Sequence, residues 1–268
     1  MKKTRCIKVL TLYVTRNSET FNIRNYKSVR FQRGVCQDIY IVSAEPVDGL
    51  NNIVISPPKG YQVPIRVSIS LNKALAYLVR NGTRLIDYDY IFKVDGDALL
   101  PVDYLENLLR KQPLLGGSGQ AMVISTRFFM GALKGLYPIK YSDDGFVFSR
   151  GIALGIWPEE YKGLGPGVIV PRNEENIRKR GFIYGIEYYK WGTPLQFLLV
   201  WIVVSLLKRF MAFNRRNNQN DKGISNWIWN LSGFIYAAIN GVEKYRWSIY
   251  YKKYRVYHFL RKIRNYLT

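Results

Sequence analysis

Histidine and cysteine are the scarcest chemically versatile residues in this chain: its 268 residues include one His and two Cys. Cys6 and Cys36 stand apart, with no CxxC pair and no His beside them, which argues against both a zinc site and a disulfide framework. Free thiols in an intracellular, reducing compartment are the expectation. His258, the single histidine, lies among Tyr and Arg far from any acidic motif and is expected at the surface. Internal repeats and low-complexity segments are also missing, and 48% hydrophobic residues with 22% charged is the composition of a chain that folds. The basic start Met1-Lys2-Lys3-Thr4-Arg5 leads into an apolar run that Lys8 interrupts and that stops at Val14, so no cleaved signal peptide is expected.

Acidic residues are few, 19 against 40 basic, and the formal charge of +21 favours anionic partners: nucleic acid, lipid headgroups or phosphorylated substrates. The position of the charge separates these. Residues 195–268 carry 13 basic and 2 acidic residues, more than half of the net charge. The same quarter holds two charge-free stretches, Trp191–Leu207 and Asn226–Val242, with Trp191, Trp201, Trp227, Trp229 and Trp247 in or beside them. Lys208-Arg209 and Arg215-Arg216 follow the first. Apolar helices flanked by Trp and basic clusters belong at a headgroup layer, and the first stretch is at the lower limit for spanning a bilayer. A catalytic domain over residues 1–190 and a membrane-associating helical region over 191–268 are therefore expected.

Strand and helix patterns alternate through the first part of the chain. Ile7–Thr15, Asp38–Ser43, Asn52–Ser56 and Tyr88–Val94 read as strands, and Thr20–Arg33 and Val63–Arg80 as helices between them. Pro101 is expected to open a helix through Arg110, Gln120–Ser125 to form a further strand, and Gly145–Ile156 a helix behind Asp143-Asp144. The pattern predicts an α/β fold, an open sheet flanked by helices, in which ligands bind beyond the carboxyl ends of the strands. Asp95 and Asp97 fall at such an end. Two carboxylates in Asp95-Gly96-Asp97, with a Gly that lets the backbone bend, suit a hard divalent cation such as Mg²⁺ or Mn²⁺ shared with substrate phosphates.

The ordered set of motifs resembles the inverting glycosyltransferases of family 2, which have the GT-A fold, over roughly residues 6–190. Val9 to Asn17 is similar to the family's first strand and donor-binding loop, which implies donor contacts from Thr15 and Asn17. Arg66 to Leu75 is similar to its Arg/Asn-bearing helix and implies the same of Arg66 and Asn72. Tyr90 to Tyr104 looks like its strand, Asp-x-Asp and Pro-initiated helix, implying that Asp95 and Asp97 hold the metal and the donor diphosphate, with Asp97 the direct ligand. Asp143-Asp144 followed by Arg150 resembles its later acidic pair and implies Asp144 as the general base that inversion requires. The other reading of the acidic pair is an N-cap, and the two roles are compatible.

Departures from the family are definite. The acidic run that contacts the nucleotide base is replaced by Ser43-Ala44-Glu45-Pro46-Val47-Asp48, leaving Glu45 or Asp48 as the substitute. The Gln-x-x-Arg-Trp signature of processive members is missing, although Tyr245-Arg246-Trp247 keeps its last two residues, so a single addition is expected. Arg172, Arg178, Lys179 and Arg180 fall where a loop covers the departing diphosphate, and a solvated charge run is the competing reading. The resemblance implies a nucleotide-sugar donor; with the membrane-associating region a lipid-linked or polyprenyl-phosphate acceptor is expected, and a catalytic domain on the cytoplasmic side of a membrane. Two other functions compete with this one. A nucleic-acid-binding protein would suit the charge but lacks any recognisable binding motif, so no nucleic acid is expected. A nucleotidyltransferase of similar fold would want a Gly-rich phosphate loop where Thr15-Arg16-Asn17-Ser18 stands.

Overall fold

A computed structural model describes residues 6–58, 60–161, 167–168, 174–213 and 222–267. The chain forms two compact units, Met1–Gly151 with Ile156–Val170, and Ile152–Gly155 with Pro171–Thr268.

The first unit is built on a six-stranded sheet. Its strands are β1 (Ile7–Val14), β2 (Val35–Ser43), β3 (Asn52–Val54), β4 (Tyr90–Asp95), β6 (Leu115–Ser118) and β7 (Ala121–Ser125), in the order β3-β2-β1-β4-β7-β6. The first four are parallel; β7 runs antiparallel to β4, and β6 to β7, so the sheet is mixed. A separate two-stranded ribbon joins β5 (Ala98–Leu99) to β8 (Gly167–Val168). Side-chain alternation divides the core. Leu10, Leu12 and Val14 face α2 (Val63–Arg80), α4 (Thr126–Ala132) and α5 (Asp143–Ala153), while Val9 and Tyr13 face α1 (Ile23–Arg30) and α3 (Tyr104–Leu109).

The chain leaves β1 toward β2 and β3 and returns to β4 on the other side of β1. Strand order therefore reverses between β1 and β4, where an open α/β sheet forms its crevice.

Several helix starts differ from the sequence expectation for local reasons. α1 begins only at Ile23 because Asn22 caps it, accepting from the backbone N–H of Arg24 and Asn25, while Thr20 is held in a turn by Asn17. Pro101 does not open α3. Its carbonyl accepts from Gln32 Nε2 at 2.7 Å and from the Tyr104 N–H, so a turn precedes the helix. The expectation of free thiols is also overturned: Cys6 and Cys36 form a disulfide, with Cα atoms 5.8 Å apart. The register explains it, since Ile7 pairs with Val35 and Lys8 with Cys36 on adjacent strands, a neighbourhood invisible across 30 residues of sequence.

The second unit is helical: α6 (Glu174–Trp191), α7 (Leu195–Phe213), α8 (Lys222–Ile239) and α9 (Ser248–Leu267). α6 and α8 cross at glycines, where a Cβ on Gly185 would overlap the Asn230 carbonyl and one on Gly233 that of Phe182. α6 thus packs with the later helices, and the compact unit begins ahead of residue 191. Trp191, expected as a surface anchor, is 4% exposed and packs edge-on against Tyr188. The α7 residues Leu199, Val203 and Leu207 are spaced four apart, so they share one helical face, and all three are exposed. Among the described residues no helix is long and apolar enough to cross a membrane.

Candidate active site

Asp95 ends β4 opposite Val14, the last residue of β1, which puts Asp95-Gly96-Asp97 in the crevice at the strand-order reversal. Gly96 is held from three sides. Its N–H donates to the Val14 carbonyl at 2.7 Å, and its carbonyl accepts from Tyr13 Oη at 2.8 Å and Asn25 Nδ2 at 3.1 Å. A Cβ there would stand 3.0 Å from the Val14 oxygen and 3.1 Å from Thr15 Cβ. Close approach to β1, rather than an unusual backbone angle, is what requires glycine here. Asp97 is half-buried and enters no hydrogen bond or ion pair among the described residues.

Asp95 is engaged differently. Lys93, two residues earlier and on the same face of β4, donates to Asp95 Oδ1 at 2.7 Å and to the Gly119 carbonyl at 2.6 Å. Burial alone would lower the Lys93 ammonium, but the carboxylates of Asp95, Asp143 and Asp144 hold it above its ordinary value. Burial raises the Asp95 carboxyl, against the pull of Lys93. Asp143 lies on the inward side of α5, 7% exposed, and burial pushes its carboxyl up to about 6, with Lys93 opposing and Asp144 adding. Tyr137 is buried against both carboxyls of that pair, and its phenol is raised well above the usual value by burial first and then by their charge. Asp144 is half-buried. Its Oδ1 accepts the Gly145 N–H at 2.7 Å, a bond to an otherwise unpaired donor in the first turn of α5. Gly119, in the two-residue turn between β6 and β7, lies against it so closely that a Cβ would overlap Asp144 Oδ2.

The structure thus gathers three carboxylates, Asp95, Asp143 and Asp144, around one ammonium, with Asp97 beyond Asp95 in the same motif. Asp95, Asp97 and Asp144 were singled out from the sequence; Lys93, Tyr137, Gly119 and the buried state of Asp143 were not. A signal for Lys93 existed: it is the one charged residue inside an otherwise apolar strand, in phase with Asp95.

The other expected donor contacts divide. Thr15 is buried beside Gly96, with its N–H on the Val42 carbonyl and its Oγ1 3.2 Å from Thr20 Oγ1. The Asn17 side-chain oxygen accepts from the Thr20 N–H at 3.1 Å and from the Thr20 hydroxyl, so it shapes the loop. Asn72 is committed to structure: its amide donates to the Tyr137 carbonyl at 2.7 Å and accepts the Tyr137 N–H at 2.8 Å, pinning the segment before α5 to α2. Both polar ends of Asn72 are thus used within the chain. Arg66 is half-buried, and its Nε has no hydrogen-bond partner among the described residues. Glu45 is exposed beyond β2, as is Asp48. Arg150 is half-buried in the last turn of α5. Arg178 and Arg180 lie on α6 in the helical unit; Arg178 is exposed, and Arg180 bonds Tyr184 Oη at 3.1 Å and stacks over its ring. Arg172 lies outside the described residues.

Among the described residues no cluster of three or more His, Cys, Asp or Glu is arranged to hold a metal by protein alone. The donor set present, a free Asp97 carboxylate beside a half-engaged Asp95, fits the other mode, in which one or two carboxylates share Mg²⁺ or Mn²⁺ with substrate phosphates.

No protein-family model and no curated protein matches the sequence. Solved structures do match. The mannosyltransferase PcManGT from Pyrobaculum calidifontis, in complex with GDP-Man and Mn2+, superposes with a TM-score of 0.52 at 14% identity over 95% of this chain and 84% of that one. S. aureus TarS 1-349 aligns at a TM-score of 0.45 and 12% identity over 88% and 83%. The chain therefore has the GT-A glycosyltransferase fold that the mannosyltransferase shares across nearly all of its length.

Proposed function

We propose that the chain is a metal-dependent glycosyltransferase that takes a sugar from a nucleotide-diphosphate donor and inverts its anomeric centre in a single addition. One observation carries the reading: Asp95-Gly96-Asp97 stands at the strand-order reversal, and Asp144 stands on the same side of the sheet, half-exposed, one turn of backbone from it through Gly119. Asp97, with Asp95 beside it, holds Mg²⁺ or Mn²⁺, which when bound stabilises the charge of the leaving diphosphate. The similar mannosyltransferase binds GDP-Man and Mn2+, which supports this choice of ligands. Arg66 brings its unpartnered Nε to the donor phosphates, and the Thr15 loop borders the same crevice. Asp144 takes the proton of the acceptor hydroxyl as its oxygen attacks, and buried Asp143 shares the local charge with Lys93. The test is thermal denaturation with a set of nucleotide sugars: one of them raises the melting temperature only when Mn²⁺ or Mg²⁺ is present, and excess chelator abolishes the effect. Stabilisation indifferent to metal overturns the reading.

The acceptor in this proposal is lipid-linked: a lipid-borne saccharide, whose hydroxyl calls on Asp144, or a polyprenyl phosphate, whose ionised oxygen needs a base less. Its support is the exposed Leu199–Val203–Leu207 face of α7 together with the basic excess of residues 195–268. Apolar insertion and attraction to anionic headgroups act together there. Co-sedimentation with anionic vesicles is expected, and its weakening across a salt series identifies surface binding, because screening reaches only the electrostatic part. A chain that never sediments removes the membrane from the proposal. We assign the catalytic unit to the cytoplasmic side. The Cys6–Cys36 bond is unusual for a reducing cytosol, so the thiol state of protein extracted under alkylating conditions decides the compartment.

A further inference from the structure

Lys93 is 4% exposed in the middle of the sheet, a position where an ammonium is costly unless its charge and its donors are matched. Two of its three N–H donors have acceptors, Asp95 Oδ1 at 2.7 Å and the Gly119 carbonyl at 2.6 Å. The same turn is bound to β4 a second time, since the Asp95 N–H donates to the Gln120 carbonyl at 2.8 Å. On its other side, Gly119 is in contact with the Asp144 carboxylate. One side chain therefore touches the first Asp of the Asp-Gly-Asp motif and also anchors the turn against which Asp144 rests.

We propose that Lys93 is a positioning residue that acts as a permanent internal cation: it occupies one oxygen of Asp95, leaves Asp97 to supply the uncompensated charge for the divalent ion, and seats Asp144 through the Gly119 turn. The inference rests on the metal-dependent transferase reading. Its chemical content is that the site carries four carboxylates but binds metal as though it had fewer, because one of them is neutralised from within.

The sign of the change in metal affinity separates this role from mere packing. Mn²⁺ alone is titrated into the full-length chain at pH 7.5, with the free ion followed by its electron paramagnetic resonance signal. Removing the ammonium in Lys93→Met is expected to tighten Mn²⁺ binding about tenfold, the electrostatic effect of deleting one nearby positive charge from a partly solvated site. A filler residue would loosen the site and weaken the ion. The double variant Lys93→Met with Asp95→Asn removes the pair together, a replacement that buried ion pairs tolerate, and should bind Mn²⁺ within about threefold of wild type. Folded Lys93→Met with unchanged or weaker Mn²⁺ binding overturns the proposal, and so does a double variant more than about tenfold weaker, which makes Asp95 a full ligand. If Lys93→Met alone does not fold, the double variant decides. A wild-type chain that binds no Mn²⁺, with or without nucleoside diphosphate, brings down the transferase reading itself and this inference with it; a wild type that binds while the variants fail brings down the inference alone.

Discussion

Asp97→Ala abolishes sugar transfer and metal-dependent donor binding while the protein stays folded. Loss of the principal ligand removes the ion's stabilisation of the departing diphosphate, several kcal/mol, which amounts to about a thousandfold in rate or more. The fold survives for a local reason. Asp97 has no hydrogen bond or ion pair among the described residues, so truncation leaves no buried partner unsatisfied. Gly96 stays clamped by Val14, Tyr13 and Asn25 whatever residue follows it. Thermal unfolding of the variant in chelator should match wild type, and donor titrations with and without Mn²⁺ should coincide in the variant only. Full transfer by Asp97→Ala, or by wild type in excess chelator, removes the metal from the mechanism.

Asp144→Asn lowers turnover about 10²- to 10⁴-fold, the usual contribution of a positioned general base, with donor affinity changed only a few-fold. Asparagine preserves shape and keeps an oxygen for the Gly145 N–H that Asp144 Oδ1 accepts at 2.7 Å, so α5 retains its first turn. What disappears is the capacity to take a proton. Single-turnover rates and donor dissociation constants measured on one preparation separate the outcomes. A loss confined to donor affinity makes Asp144 a binding residue and leaves the base to be found elsewhere, with Asp143 next in line. Asp143 is the poorer candidate because it is 7% exposed and shares its surroundings with Lys93 and Tyr137, out of reach of an acceptor.

Particular residues mark what the linear sequence could and could not show. The long helix Val63–Arg80 was legible to the residue because its apolar spacing is a local signal. The Asp-x-Asp was legible because an apolar strand ran into it. The partner of Asn72 was not legible: only the fold brings Tyr137, 65 positions later, to both ends of its amide. The disulfide was missed for the same reason, being a matter of strand register.

By itself the sequence determined the four parallel strands and the helix Val63–Arg80, that carboxylates stand where an apolar strand ends, and that charge and apolar residues gather in the last quarter. Those properties follow from side-chain periodicity and local propensity, which act over a few residues. Tertiary structure alone decided that Lys93 lies between Asp95 and a carbonyl 26 residues away, that Asp143 is pushed up to about 6 while its neighbour stays accessible, and that Cys6 meets Cys36. Ionisation, hydrogen-bond partners and disulfide pairing depend on the dielectric and the neighbours that packing creates, and strand order, which sets those neighbours, is not written at any single position of the chain.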